Sequence, residues 1–210
     1  MRKVLILLTF ILLLASVWIG LTKGRIIPLQ RNIIYFHVPG SICALACFVM
    51  LLVASIGCLC TKKKFWDYLG AASAEAALLF ATVLNLTGSV FSRAEWNLWW
   101  TPSPKLVTSA ILWFLALVYI ILRTAIPDKH RRARICAVFG IIAFLDVPMV
   151  YVSARLIPDI HRQNFTFDSA WQSAALAAAI AAALLLAGLL IWLRTDLLQA
   201  AAELDDDITC

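Results

Sequence analysis

Six apolar stretches, each long enough to cross a lipid bilayer, leave this chain almost no residues with which to build anything else. A spanning helix takes about 20 mainly apolar residues, and windows at roughly 4–22, 39–60, 68–91, 106–126, 135–154 and 171–193 qualify. Lipid offers no hydrogen bonds to the backbone, so spans of this length are helical. Of the 210 residues, 63% are hydrophobic and only 14% charged, and the mean hydropathy of +0.90 excludes a water-soluble globule. The expectation is an all-α integral membrane protein of six transmembrane helices. It forms a single membrane domain over 1–210, with 195–210 as an acidic, unstructured cytoplasmic tail. The first window follows Arg2 and Lys3 but runs on to Leu21 without a small-x-small cleavage site, so it is read as a retained helix rather than a signal peptide.

Lysine and arginine then set the orientation, because basic residues accumulate on the cytoplasmic side. With the N-terminus inside, eleven of the eighteen fall on inner segments and seven on outer ones. The bias rests on two clusters, Lys62-Lys63-Lys64 and Lys129-His130-Arg131-Arg132. Both termini are therefore expected in the cytoplasm of a bacterial inner-membrane protein. The net charge of +6 reflects this topology and gives no reason to invoke nucleic acid.

The same topology brings three features to the outer face. They are His37 before the second span, His161 before the sixth, and the loop Trp96-Asn97-Leu98-Trp99-Trp100 between the third and fourth. An interfacial aromatic belt accounts for tryptophans at a membrane boundary, and a lone interfacial histidine needs no ligand. Together they suggest a flat, apolar, iron-bearing ligand, haem b held non-covalently and transiently. Two neutral imidazoles, His37 and His161, would fill the axial positions on iron. Trp96, Trp99, Trp100 and Phe91 would meet the porphyrin faces. Arg31, Arg93 and Lys105 are the candidate cations for its two carboxylates.

Ordered motifs carry a family resemblance over about residues 31–165. Arg31-Asn32-Ile33-Ile34-Tyr35-Phe36-His37-Val38-Pro39 resembles the RIIYxHVP entry to the second helix of haem-handling proteins of cytochrome c maturation. Thr87-Gly88-Ser89 followed by Trp96-Asn97-Leu98-Trp99-Trp100 is similar to their TGS…WGxWW run, which opens a tryptophan-rich WWD signature. Asp146-Val147-Pro148, Ser153 and His161 resemble their (D/N)xPI…S…H segment. The chain is identified on these residues as a divergent relative of the haem exporter protein C (CcmC-like) proteins.

The resemblance implies that His37 and His161 are the two axial ligands. It implies a carrier, not an enzyme, that presents haem to a periplasmic haem chaperone beside the subunits of an ABC transporter. The departures lie in the second half of the loop. The family's tryptophan, aspartate and arginine are here Pro102, Ser103 and Lys105, and lysine is a point charge without arginine's bidentate fork. Two other classes stand beside this reading: a non-catalytic scaffold subunit of a haem-related transporter complex, and a membrane redox protein.

Two carboxyls fall inside predicted spans. Glu75 lies about 12 Å along its helix from Asp67, and Asp146 about 16 Å from Ile135, by the helical rise. Similar depth suggests a pair sharing a proton or a polar tether that fixes helix packing beneath the haem site, or else two protonated carboxyls each bonded to a neighbouring hydroxyl or amide such as Asn85. The six cysteines avoid the outer loops, where a disulfide would form, and are expected as free thiols packed as small apolar residues.

Overall fold

The computed structural model describes residues 2–26, 29–156 and 166–208. Its helices are α1 (Arg2–Thr22), α2 (Ile34–Thr61), α3 (Lys64–Trp96), α4 (Pro104–Ala125), α5 (Lys129–Phe144), α6 (Asp146–Leu156) and α7 (Ala170–Ile208). A 3-10 turn, Leu29–Ile33, leads into α2. Among the described residues, six stretches are long and apolar enough to cross a membrane, and they fall on the six predicted windows. The helical stretches run past their windows at one or both ends, with α4 stopping one residue short at its C-terminal end, because helix propensity carries the chain past the point where hydropathy fails.

The hairpin of α2 and α3 is the spine. Only Lys62 and Lys63 separate the two helices, with Lys62 in the left-handed region (φ 57°) and its N–H closing on Cys58 O at 3.0 Å. So short a link forces antiparallel neighbours. α3 carries small side chains all round its buried stretch, Ala71, Ala72, Ser73, Ala74 and Ala77, so neighbouring helices approach closely on several faces, including the one toward α2. Cys43, Cys47, Phe48 and Leu51 of α2 fill that face and are almost fully buried. Of the six cysteines expected as buried free thiols, Cys43, Cys47, Cys58 and Cys136 are so, Cys60 is exposed, and Cys210 lies outside the described residues. Helices α4, α5 and α7 pack around the spine, and α1 lies on α7. Gly140 of α5 sits directly against Ser55 and Leu51, where a Cβ has no room.

The fifth span is two helices rather than one. Pro148, third in α6, has no N–H for the carbonyl of Phe144, and its ring opposes that carbonyl. The chain steps across Leu145, whose N–H bonds Ile142 O at 3.0 Å. The segment expected as an unstructured tail is the end of α7, which spans 39 residues, about 58 Å. Ala200, Ala201, Ala202 and Glu203 are strong helix formers, and Lys129 pairs with Asp205 at 2.8 Å.

The carboxyl pair does not form. Glu75 makes a two-pronged ion pair with Arg194 of α7, at 2.6 and 2.9 Å. Asp146 lies on α6, which packs against α4 and α5, and its buried Oδ2 has no hydrogen-bond partner among the described residues. Equal depth was not enough, because the two side chains leave their helices toward different neighbours. Asn85 bonds neither of them; it ties α3 to α4 through Ser109 at 3.3 Å. A second ion pair escaped the sequence reading. Arg123 of α4 grips Asp67 of α3 at 2.6 and 2.8 Å, with both side chains largely buried.

Candidate functional site

The geometry at the tryptophan loop starts from the end of α3. Trp96 is the last helical residue, and Asn97 turns the chain through the left-handed region (φ 61°), its N–H bonding Arg93 O at 3.1 Å. Asparagine tolerates that conformation better than most non-glycine residues. Ser92 then donates to Leu98 O at 2.6 Å and folds the loop back on the helix. Pro104 opens α4 in its first turn, where its missing N–H costs nothing. Trp96 is thus held on a rigid element, and Trp99 and Trp100 stand on the connection.

A cleft of about 280 Å³ opens beside this turn, between the start of α2, the end of α3, the start of α4 and Val150 of α6. His37 lines it together with Phe91, Trp96, Glu95, Arg31 and Lys105. Phe91 and Trp96 meet edge to face, ring centres 5.5 Å apart. Arg31 donates to Glu95 at 2.9 Å across the rim. Two cations and one carboxylate therefore border an apolar, aromatic wall. The volume is at the low end for a ligand pocket, so a macrocycle seated here would project beyond it.

His37 is anchored to α3. Its Nδ1 is 3.1 Å from Thr87 Oγ1, and its Cε1 lies 3.2 Å from where a Cβ on Gly88 would be. The entry to α2 is itself tied down: Asn32 clasps Ile26 through both its N–H and its carbonyl, at 2.9 and 2.8 Å, and Tyr35 donates to Gly24 O at 2.5 Å.

Of the predicted residues, the fold gathers His37, Trp96 and Lys105 on one cleft, with Phe91 and Arg31. Trp99, Trp100 and Arg93 are not on its lining. Trp99 is 62% exposed and Trp100 49%. The Arg93 guanidinium lies 5.9 Å over the Trp99 ring and donates to Asn97 O at 2.6 Å. His161 lies outside the described residues. Glu95 and Thr87 belong to the site but not to the sequence prediction. Glu95 carried no signal beyond its place beside Trp96, since pairing with Arg31 is a tertiary fact. Thr87 stood in a motif without an assigned role.

The chain matches the family described as heme exporter protein C (CcmC) over residues 1–205. It belongs to the heme exporter protein C family. Among its relatives, the heme exporter protein C of Bradyrhizobium diazoefficiens is 26% identical over 131 residues, covering 62% of this chain and 50% of that one. The protein of the same name from Rhodobacter capsulatus is 26% identical over 175 residues, 79% of this chain and 72% of that one. The cytochrome c biogenesis protein CcsA of Eucalyptus globulus is 30% identical over 79 residues, 38% of this chain and 24% of that one. The chain thus spans half the length of the first relative and nearly three quarters of the second. Family and fold together make it a multi-pass inner-membrane protein. The residues of the cleft fit a haem chemically: an imidazole, an aromatic wall and cations at one rim.

Proposed function

We propose that this heme exporter protein C relative binds haem b non-covalently at the outer face of the membrane and presents it to a periplasmic haem chaperone. His37 and His161 would hold the iron through their imidazoles; bound haem would supply a Lewis-acidic iron and an apolar plane, and the protein would perform no covalent chemistry of its own. Trp96 and Phe91 supply the face contact and exclude water from that side of the cleft. Lys105 and Arg31 neutralise the carboxylates, with Glu95 holding Arg31 in place until an anion competes for it. Arg93, Trp99 and Trp100 form an exposed surface beside the cleft, suited to meeting the chaperone. ABC transporter subunits of the cytochrome c maturation system are the partners within the bilayer. The observation that carries this reading is His37 on an aromatic cleft rimmed by cations.

The test is an absorption spectrum of the detergent-purified protein with and without added haem. A Soret band in the wild type that is lost in His37→Ala and in His161→Ala is the expected result. A protein that takes up no haem removes the reading and leaves a scaffold subunit.

A further inference from the structure

We infer that Thr87 is a positioning residue that fixes His37 in a single tautomer, protonated on Nδ1, and so makes Nε2 the nitrogen this site offers to iron. The inference rests on the haem-carrier reading and adds to it which atom of His37 acts and what selects it.

The single hydroxyl proton of Thr87 is already committed to the backbone. Thr87 Oγ1 lies 2.6 Å from the carbonyl oxygen of Val83, one turn back in α3, and 3.2 Å from that of Leu84. Both oxygens of the 2.6 Å contact carry lone pairs, and they tolerate so short an approach only with a proton between them. A hydroxyl has one proton to give, and here it goes to the backbone. The contact from the same oxygen to His37 Nδ1, at 3.1 Å, must then be bridged by a proton from the ring. A neutral imidazole carries one N–H, so protonating Nδ1 leaves the lone pair on Nε2. Metals bind imidazole through that lone pair, and a hydrogen bond at the other nitrogen is what sets which one is used.

The packing supports the same assignment. Gly88 follows Thr87, and the ring's Cε1 lies so close to it that a Cβ would touch at 3.2 Å. The Nδ1–Cε1 edge of the imidazole therefore rests on α3. Helical geometry fixes Thr87 Oγ1 against Val83 O, and the glycine lets the ring reach it. His37 itself sits in the first turns of α2, so the bond also ties α2 to α3 at the cleft.

The tautomer is readable without haem. In the full-length protein labelled with ¹⁵N-histidine, at about pH 8 and so above the ordinary histidine pKa of about 6.5, nitrogen shifts distinguish protonated from bare ring nitrogens. His37→Gln assigns the signal among the three histidines. The expected spectrum shows His37 with Nδ1 protonated. Thr87→Val scrambles it into a mixture, and Thr87→Ser, which keeps the hydroxyl, restores it. Haem affinity falls by about 10- to 100-fold in Thr87→Val and stays near wild type in Thr87→Ser.

A wild-type His37 protonated on Nε2 overturns the inference whatever the Thr87 variants do. So does a folded Thr87→Val protein, by circular dichroism, with an unchanged tautomer. If the tautomers follow expectation but no form takes up haem, the haem reading fails and the assignment of Thr87 as the tautomer-setting residue stands.

Discussion

Asn97 adopts a backbone conformation that most side chains pay about 1–2 kcal/mol to enter, and it does so at the point where α3 gives way to the tryptophan loop. The related motif reads WGxWW, with glycine at this position, so the asparagine is a backbone-compatible replacement rather than a lost function. Asn97→Gly is expected to leave thermal stability and haem uptake near wild type. Asn97→Val is expected to lower stability by about 1–2 kcal/mol and to weaken haem uptake by moving Trp96 and Trp99. Equal behaviour of the two variants in a thermal melt with a haem titration would show that the turn has no such constraint. Gly88 is the second sensitive residue. Gly88→Ala pushes the His37 ring off α3, so the variant is expected to fold but to bind haem more weakly, as read in the Soret titration. His37, Trp96 and Lys105 were legible at this scale because topology put them on one outer face and the motifs around His37 and Trp96 gave that face a role. Glu95 and Thr87 were not, since an acid and a hydroxyl near a helix end are ordinary until their partners are known.

Among the ion pairs that join helices, Arg123–Asp67 and Arg194–Glu75 lie in different surroundings. Arg123 and Asp67 are mostly buried and joined by two bonds, so removing one partner leaves a charge stranded. Arg123→Ala is expected to cost about 3–5 kcal/mol in denaturant unfolding, and a joint Asp67→Leu, Arg123→Leu change to recover most of it. A double variant as unstable as the single one would place the loss in packing rather than in the unpaired charge. Glu75 and Arg194 are more exposed, with 37% and 46% of their side chains accessible. Glu75 lies within a candidate span, where that exposure faces lipid, so Glu75→Ala is also expected to lower stability by the same measurement, because it strands the Arg194 guanidinium. The elements themselves were readable from hydropathy and from Pro148. Their ends were not, because the window method stops where polar residues begin, and α7 continues through them as helix.

On the scale of the whole molecule, α2 and α3 form the spine, and the cleft sits at the end of that spine opposite the Lys62–Lys63 link. The proposed outward orientation of the cleft has a direct check. Pro102 lies exposed on the tryptophan loop, and Cys60 is exposed at the other end of α2. In intact cells a membrane-impermeant maleimide is expected to label Pro102→Cys, and Cys60 only after permeabilisation. The reverse pattern would put the cleft on the cytoplasmic side and remove the chaperone from the proposal.

The sequence by itself determined that six helices cross the membrane and that a histidine and several tryptophans gather near one boundary. Span count and depth follow from hydropathy and a fixed rise per residue, and those are properties of the chain alone. Which side chains meet was decided by the tertiary structure. Successive residues leave a helix about 100° apart, so a small rotation chooses between one neighbouring helix and another. That rotation, set by the small-residue packing of α3 on α2, gave Glu75 to Arg194 instead of Asp146 and set Thr87 against His37. Depth is written in the order of residues; azimuth is written in how the helices pack.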